Sequence, residues 1–423
     1  MRILYVIHQF YPESSSGTER FLLNLACSMQ RSGHHVDIVT YSFAERSEFH
    51  RSGSLLTKQY QYKGISITAV RHDKVGMNLS TSVEDSSILS FARGMLGAQS
   101  GGYDWIHIVH PMRLTSFAIS AMEAGIPYVL TLTDFWMICP KINLRTSFDT
   151  QCSGPEGGVI CSQWCPELRP EFVKSRLKAA REILHGAKAI VAPSHFVVAM
   201  FKKEFPELSA SVIPHGLALD EFSRDSKTPE TRGRIVFAYC GGLSAHKGVH
   251  ILIAAFRSLD AHNAELRIYG SSSPQEQEYE RMLRSMADQD DRIEFCGTYQ
   301  EGEVGYIFQG IDVLIIPSIC YETYSFALHE ALASGVPVIV SAIACLDEKI
   351  EDSVNGWTFR VGDAADLTSK LKVAISNPQI LETMKQRVTK EDVQRIEEEA
   401  YLYERIYGTI RTLGQQANQK LAK

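Results

Sequence analysis

The sequence of 423 residues lacks any apolar run close to the roughly 20 residues that a membrane-spanning helix needs. It also lacks an excess of basic charge, because 43 Lys and Arg residues are outnumbered by 49 Asp and Glu residues. A protein that binds duplex nucleic acid normally contains a basic domain, so nucleic acid is not an expected partner. The apolar run at the amino terminus is too short for a signal peptide and has no small-residue cleavage site after it, which predicts a cytoplasmic protein.

Two common phosphate-binding motifs are missing as well. No Gly-x-Gly-x-x-Gly fingerprint is present, which disfavours an enzyme that uses nicotinamide or flavin. A P-loop ends in Gly-Lys followed by Ser or Thr, whereas the comparable loop here reads Lys247-Gly248-Val249, so a P-loop ATPase is excluded. The single Asp-x-Asp pair, Asp288 and Asp290, lies in a polar turn and not in the context of a metal-dependent transferase.

What the chain does contain is a repeated alternation of short apolar runs and helical patterns. Strands that are apolar nearly throughout, with helices between them, favour a parallel sheet covered on both faces. The alternation stops near residues 216–233, a polar stretch typical of a hinge, and then starts again. The predicted strands are 3–9, 36–41, 65–70, 105–109, 128–133, 189–192 and 212–213, and then 235–240, 266–269, 293–295, 313–316, 338–340 and 358–359.

This pattern predicts an α/β fold with two Rossmann-like, doubly wound domains, residues 1–215 and 216–396. A last helix is predicted over residues 397–413, because its apolar residues recur at helical spacing and need a surface to cover them. That stripe consists of Tyr403, Ile406, Tyr407, Ile410 and Leu413.

The strongest functional signal lies in the second domain, where residues 311–340 read as strand, loop, helix and strand. Glu322 is predicted in the loop after the strand and Glu330 in the second turn of the helix, so both carboxylates face the crevice at the carboxyl ends of the strands. A carboxylate accepts hydrogen bonds from neighbouring hydroxyls, and the helix start near Ser325 and Phe326 offers N–H groups to phosphate. The simpler alternative is a surface loop with a solvated glutamate.

This block resembles the signature of the retaining glycosyltransferases of family 4, of the bacterial polysaccharide-biosynthesis type. The resemblance implies the GT-B fold, in which two Rossmann-like domains face a cleft and the C-terminal helix crosses back to the first domain. It also implies that Glu322 contacts the donor sugar and Glu330 the ribose. The donor loop between these glutamates then contains Thr323, Tyr324, Ser325 and Phe326.

A second match to the family is the loop over residues 240–248, between a strand and a helix. Lys247 carries a mobile point charge that suits a diphosphate, although it could also be a surface lysine before a helix. The family usually has arginine where this chain has Gly242, so one phosphate contact is in doubt and Lys247 carries more of the neutralisation.

Three residues of the first domain are further candidates. Gly17 opens a helix after the first strand, and in the resembling family this loop covers the donor phosphates; a plain strand-to-helix turn is the alternative. His110 falls at the carboxyl end of a strand, where the family often has a histidine that contacts the donor sugar, whereas His107 is expected to be structural. Asp134 follows Thr133, which replaces a histidine of the family, and either orients an acceptor hydroxyl or caps the next segment.

Four of the nine cysteines cluster in a loop-rich insertion that looks structural. Cys139, Cys152, Cys161 and Cys165 would allow a tetrahedral zinc site of four thiolates, with free or redox-active thiols as the alternative. After them, residues 172–184 form a helical pattern with Lys174, Arg176, Lys178 and Arg181, which either rests on an anionic membrane surface or is solvated. Peripheral contact at the inner face of the membrane is therefore an expectation.

The expected reaction is transfer of a glycosyl group from a UDP-, GDP- or ADP-sugar to a hydroxyl of a saccharide or lipid-linked saccharide. The resemblance implies retention of the anomeric configuration, with His110, Glu322 and Lys247 as catalytic residues. No metal or cofactor is expected, because Lys247, loop amides and helix N-termini would stabilise the leaving group. Two alternatives stay open: another GT-B enzyme, such as a sugar-nucleotide epimerase, and an inactive protein that binds sugar nucleotides.

Overall fold

A computed structural model of the protein describes residues 1–74, 82–97, 102–222, 233–388 and 393–421, with side chains up to residue 408 in the last helix. The chain forms two compact units: unit 1 consists of Met1–Gly216 and Ile396–Lys423, and unit 2 consists of Leu217–Arg395. Most of the predicted hinge, residues 223–232, lies outside the described residues. In the described part of the chain, no helix combines the length and the apolar character that crossing a bilayer requires.

Unit 1 contains a nine-stranded sheet whose central strands are parallel. Its order is β3-β4-β5-β2-β1-β6-β7-β8-β9, and β4 alone runs antiparallel to both of its neighbours. The central β1 is buried from Ile3 to Ile7, as expected for a parallel strand covered on both faces. The strands are β1 (Arg2–Ile7), β2 (His35–Tyr41), β3 (His50–Ser52), β4 (Leu55–Tyr62), β5 (Ile65–His72), β6 (Trp105–Ile108), β7 (Tyr128–Thr131), β8 (Ala189–Ala192) and β9 (Ser211–Val212).

The helices of unit 1 begin and end at residues that suit those positions. The Asp85 side chain caps α2 by accepting a hydrogen bond from the amide of Ile88 at 2.9 Å. Gly125 ends α3 in the left-handed conformation, with φ of 67°, which favours glycine. The helices are α1 (Gly17–Arg31), α2 (Ser86–Leu96), α3 (Ser116–Ala124), α4 (Val159–Trp164), α5 (Pro170–Gly186) and α6 (His195–Glu204).

Unit 2 contains a six-stranded, wholly parallel sheet in the order β12-β11-β10-β13-β14-β15. Alternate residues of its central strand enter two separate cores: Phe237 and Tyr239 pack in one, Ala238 and Cys240 in the other. The strands are β10 (Ile235–Cys240), β11 (Ala264–Tyr269), β12 (Ile293–Gly297), β13 (Val313–Ile316), β14 (Val338–Ser341) and β15 (Gly356–Phe359). The helices are α7 (Val249–Arg257), α8 (Gln277–Ala287), α9 (Val304–Gln309), α10 (Phe326–Ala333), α11 (Ala344–Asp347), α12 (Ala364–Ser376) and α13 (Pro378–Arg387).

The last helix, α14 (Ile396–Leu421), packs on unit 1, where it contacts α1. Of the predicted apolar stripe, Tyr403 and Tyr407 are wholly buried, Ile406 is half-buried, and the side chains of Ile410 and Leu413 lie outside the described residues. A buried carboxylate fixes the start of this helix: Glu399 accepts a hydrogen bond from the amide of Gly216 at 2.8 Å and lies 3.0 Å from Nδ1 of His215.

A buried polar network attaches α14 to the sheet through His107. Its Nδ1 lies 2.7 Å from the Tyr407 hydroxyl and its Nε2 lies 2.7 Å from the Thr131 hydroxyl, which in turn lies 3.0 Å from the Tyr403 hydroxyl. Burial lowers the pKa of His107 to about 3, so the ring is neutral at pH 7. His107 therefore has the structural position that strand alternation indicated.

We expect His107→Ala to lower the free energy of unfolding by about 2–4 kcal/mol, because it opens a cavity and leaves buried hydroxyls without their partner. Urea unfolding measures the loss, with His185→Ala as control, since the His185 side chain is 63% exposed. Wild-type stability should also fall as the pH drops from about 6.5 towards 3, because the unfolded chain takes up a proton that folded His107 does not. A variant that matches wild type in both measurements would contradict this role.

Candidate functional site

The loop after β10, residues 241–248, is fixed by hydrogen bonds at the carboxyl edge of the unit 2 sheet. The Tyr239 hydroxyl donates to the carbonyl of Gly242 at 2.7 Å, and the amide of Leu243 donates to the carbonyl of Ser271 at 3.0 Å. The loop after β13 joins it, because the amide of Ile319 donates to the carbonyl of His246 at 2.9 Å. The two loops that contain the strongest sequence motifs are therefore joined by a hydrogen bond.

Two glycines of the first loop differ in what surrounds them. Gly248 has a φ of +71°, and a Cβ placed there would lie 1.9 Å from the carbonyl oxygen of Pro317, so the close approach of the two loops requires glycine. Gly242 is exposed, and a Cβ there would meet no atom within 4 Å. The fold thus leaves room for a larger side chain at Gly242.

Lys247 and Glu322 are in direct contact. The Nζ of Lys247 lies 2.7 Å from Oε1 of Glu322, which also accepts a hydrogen bond from the Ser318 hydroxyl at 2.7 Å. Burial lowers the pKa of Lys247, but the charge and hydrogen bond of Glu322 and the nearby Cys320 together raise it by more, so the net shift is upward and the ammonium stays charged at neutral pH. The side chain of Lys247 remains 32% exposed, so its charge is available to an anion.

Glu330 lies in the second turn of α10, as predicted, and is 2% exposed. Leu328 and Ala331 of the same helix pack in one core with Cys240, the last residue of β10. Burial raises the pKa of the Cys240 thiol, and the Glu330 charge adds to this effect. The structure therefore brings Glu330, Glu322 and Lys247 to the same edge of the sheet, around residues 241–248.

Contacts with α10 and α11 hold the donor loop predicted over Thr323–Phe326. The Cys345 thiol donates to the carbonyl of Thr323 at 3.3 Å, and Tyr324 stacks on His329 with ring centroids 4.1 Å apart. Ser325 caps α10 by accepting from the amide of Leu328 at 3.3 Å, and Phe326 is the first residue of this helix. His329 and Cys345 were missed by the sequence analysis, because their contacts depend on the packing of α10 and α11.

In unit 1, His110 and Asp134 form a pair at the carboxyl ends of the neighbouring strands β6 and β7. Nε2 of His110 lies 2.5 Å from Oδ2 of Asp134, and Nδ1 of His110 accepts a hydrogen bond from the amide of Met112 at 3.2 Å. Oδ1 of Asp134 accepts from the amide of Trp136 at 2.8 Å. The sequence pointed to both residues, but not to their contact.

Gly17 begins α1, and the residues around it are arranged by the buried Glu19. The hydroxyls of Ser14 and Ser16 both donate to the Glu19 carboxylate. His8, the first residue after β1, lies with its Nε2 3.6 Å from Glu19, and its ring contacts that of His110 with centroids 4.0 Å apart and a tilt of 38°. Sequence reasoning missed His8 and Glu19, although a histidine directly after an apolar strand was a usable signal.

The four clustered cysteines are all buried, and their thiols are free. Burial raises the pKa of Cys139 to about 11 and that of Cys161 to about 12, so both are protonated at neutral pH. Across the residues that the structure describes, no group of three or more His, Cys, Asp or Glu side chains is placed to hold a metal ion. The described side chains therefore do not form the zinc site that was one of the two alternatives for this cluster.

One of the four cations predicted on the basic face over residues 172–184 is buried. Arg176 is 3% exposed, and its guanidinium donates to the carbonyl of Met137 at 3.1 Å and to that of Trp136. Arg181 is paired with Glu207 at 3.1 Å, whereas Lys174 and Lys178 are exposed. Both alternatives for this helix, a membrane-facing and a solvated basic face, are therefore wrong for Arg176, because its guanidinium points inward over the Trp136 ring.

Comparison with known proteins relates this geometry to a family. Residues 15–221 match the family described as Glycosyltransferase Family 4, and residues 220–391 match Glycosyl transferases group 1. The chain is 22% identical over 241 residues to the lipopolysaccharide 1,2-N-acetylglucosaminetransferase of Salmonella typhimurium, a match that covers 51% of this chain and 62% of that enzyme. The fold is similar to that of Anabaena HepE in complex with UDP and glucose, with a TM-score of 0.69 at 18% identity over 97% of this chain and 100% of that one.

An uncharacterized glycosyltransferase from Methanocaldococcus jannaschii is 33% identical to this chain over 373 residues, and the match covers 85% of each protein. Identity at this level over most of both chains goes beyond a shared fold. Together with the two family matches over residues 15–391, it shows that the chain belongs to the family 4 glycosyltransferases, with the GT-B fold of two Rossmann-like domains.

Proposed function

We propose that the protein transfers a glycosyl group from a nucleoside-diphosphate sugar to a hydroxyl of a saccharide or lipid-linked saccharide, with retention of the anomeric configuration. The observation that carries this proposal is the contact of Lys247 with Glu322, which joins the loop over residues 241–248 to the loop that precedes α10, the helix of Glu330. A cation suits the diphosphate of such a donor, and two carboxylates suit its hydroxyls. The glycine-containing loop at the same sheet edge lets the protein backbone approach the phosphates closely.

Each group has a distinct role in the proposed donor site. Glu330 accepts hydrogen bonds from the two ribose hydroxyls, and Glu322 accepts one from a hydroxyl of the transferred sugar. Lys247 exchanges part of its contact with Glu322 for the diphosphate, whose charge is larger. The amides of Ser325 and Phe326, at the start of α10, also donate to the diphosphate in this scheme, as free N–H groups at a helix start can.

The same groups stabilise charge as the glycosidic bond breaks. The leaving diphosphate gains negative charge, and Lys247 and the loop amides are already in place to meet it, which makes them a preorganised electrostatic catalyst. The proposed reaction therefore uses no metal ion. Retention follows in this scheme if the acceptor attacks from the face that the diphosphate leaves and gives its proton to that phosphate.

The similar proteins guide the choice of substrates to test. The HepE structure contains UDP and glucose, which makes a UDP-hexose the first donor to test. The Salmonella relative is named for transfer of N-acetylglucosamine to lipopolysaccharide, which favours a saccharide acceptor.

Thermal unfolding against UDP-, GDP- and ADP-sugars tests donor binding, because a ligand that binds only the folded protein raises the melting temperature. We expect one nucleotide series to do so, both with and without EDTA. NMR of the product then gives the anomer: an inverted product refutes the retaining scheme, and no shift with any nucleotide refutes the donor site.

Gly242 favours a second candidate, a protein that binds sugar nucleotides without transferring them, because the family arginine is missing. Since the position is exposed and open, we expect Gly242→Arg to leave the melting temperature unchanged and to tighten binding of the donor about 3- to 10-fold through a charge-assisted phosphate contact. Titration calorimetry with the nucleotide sugar measures this, with Gly242→Gln as the uncharged control. Equal effects of both substitutions would show that no phosphate lies near this position.

A further inference from the structure

In the pair of His110 and Asp134 in unit 1, the two side chains differ in their exposure to solvent. The side chain of His110 is 2% exposed, whereas that of Asp134 is 24% exposed. A ligand from solvent can therefore reach the carboxylate but not the imidazole. The resemblance alone implies the reverse, a histidine in contact with sugar.

The hydrogen bonds of His110 lead to the same conclusion. An amide N–H is a donor only, so Nδ1, which receives the Met112 amide at 3.2 Å, carries no proton. The proton is on Nε2, which donates it to Oδ2 of Asp134 at 2.5 Å. Both ring nitrogens are thus used within the protein, and one side of the ring contacts the tilted ring of His8, with centroids 4.0 Å apart.

Asp134, in contrast, keeps acceptor capacity. A carboxylate has about four lone-pair positions. Within the described residues two of them are used, one by the amide of Trp136 at 2.8 Å and one by His110. These two bonds fix the plane of the carboxylate, so its remaining lone pairs point in fixed directions from a partly exposed position.

We infer that Asp134 binds the hydroxyl of the saccharide acceptor, and that His110 is a positioning residue which acts only through Asp134. This inference rests on the transfer reaction proposed above. It assigns unit 1 a polyol-binding group in which the carboxylate accepts the hydrogen bond of the attacking hydroxyl and orients its oxygen. His8 contributes by holding the ring of His110 in place.

Two amide substitutions separate the two bonds of His110. In His110→Gln the amide nitrogen occupies the place of Nε2, so it can still donate to Asp134, but the contact with Met112 is lost. In His110→Asn the amide group occupies the place of Nδ1, so the contact with Met112 is kept and that with Asp134 is lost. A purely structural histidine would not predict which of the two variants works.

The probes are a UDP-, GDP- or ADP-hexose that the wild type accepts and the octyl glycosides of glucose, galactose and N-acetylglucosamine. We expect Asp134→Asn and His110→Asn to lower transfer to the glycoside about 10- to 100-fold, the usual effect of losing a hydrogen bond to a charged group. His110→Gln should keep at least a third of the wild-type rate. Transfer to the glycoside should fall more steeply than hydrolysis of the donor by water in Asp134→Asn and His110→Asn, because a water molecule needs less orientation than a sugar hydroxyl.

Other outcomes overturn the inference. If His110→Gln is as impaired as His110→Asn, or if donor hydrolysis falls in parallel with transfer, His110 contacts the donor or is merely structural. If Asp134→Asn and His110→Asn combine additively, the two residues act separately. A wild type that neither transfers nor hydrolyses any donor refutes the proposed function itself. In such an inactive protein, proton NMR still tests the contact, because a far-downfield resonance that disappears in Asp134→Asn shows the hydrogen bond between His110 and Asp134.

Discussion

Lys247→Ala is expected to lower the rate of glycosyl transfer about 100- to 1,000-fold, which is the usual cost of removing one preorganised group that stabilises developing charge. The Lys247 ammonium lies 2.7 Å from Glu322 and the side chain is 32% exposed, so it can contact a diphosphate. Because the pKa of Lys247 is raised by Glu322, the wild-type enzyme should keep this contribution up to at least pH 9. Steady-state kinetics with the accepted nucleotide sugar measures the loss.

Unit 2 provides a matched control at the opposite edge of the same sheet. Lys385 also has a partly buried ion pair, with its Nζ 2.8 Å from Asp312, but Asp312 precedes β13, whereas the loop with Glu322 follows it. We expect Lys385→Ala to reduce the stability of unit 2 without changing donor affinity, and Lys247→Ala to do the opposite. Similar losses of activity in both variants would show that Lys247 matters only for folding.

Regular elements buried on both faces could be predicted from sequence. The predicted strands 235–240 and 313–316 coincide with β10 and β13, because continuous apolar runs between polar turns leave little choice of boundary. β3 and β4 were not predicted. The residues of β4 alternate between partly buried and exposed from Lys58 onward, so this strand has no apolar run, and its pairing with β3 and β5 determines its conformation.

The candidate site residues could also be located from the ends of predicted strands. Strand ends could be located, so Lys247, Glu322, Glu330, His110 and Asp134 were all found at the carboxyl edges of their sheets. What could not be predicted is which side chains touch, because that depends on strand order and rotamers. His110 and Asp134 are 24 residues apart and meet only because β6 and β7 are neighbours in the sheet.

Gly248→Ala should have the largest effect on stability and should also abolish donor binding. The added Cβ would lie 1.9 Å from the carbonyl oxygen of Pro317, and φ of +71° disfavours any side chain there. The left-handed conformation alone costs about 1–2 kcal/mol, and forcing backbone apart adds about 1–3 kcal/mol more. The movement would separate the loop containing Lys247 from the loop containing Glu322, so activity should fall even where the variant still folds.

Gly362→Ala isolates the conformational part of this cost. Gly362 has a similar φ of +77°, but a Cβ there would meet nothing within 4 Å. We expect it to lower the free energy of unfolding by about 1–2 kcal/mol and to leave donor affinity intact. The difference between the two variants in urea unfolding then measures the contact between the loops. If Gly248→Ala costs no more than Gly362→Ala and still binds the nucleotide sugar, the close approach of residues 248 and 317 is not needed to build the donor site.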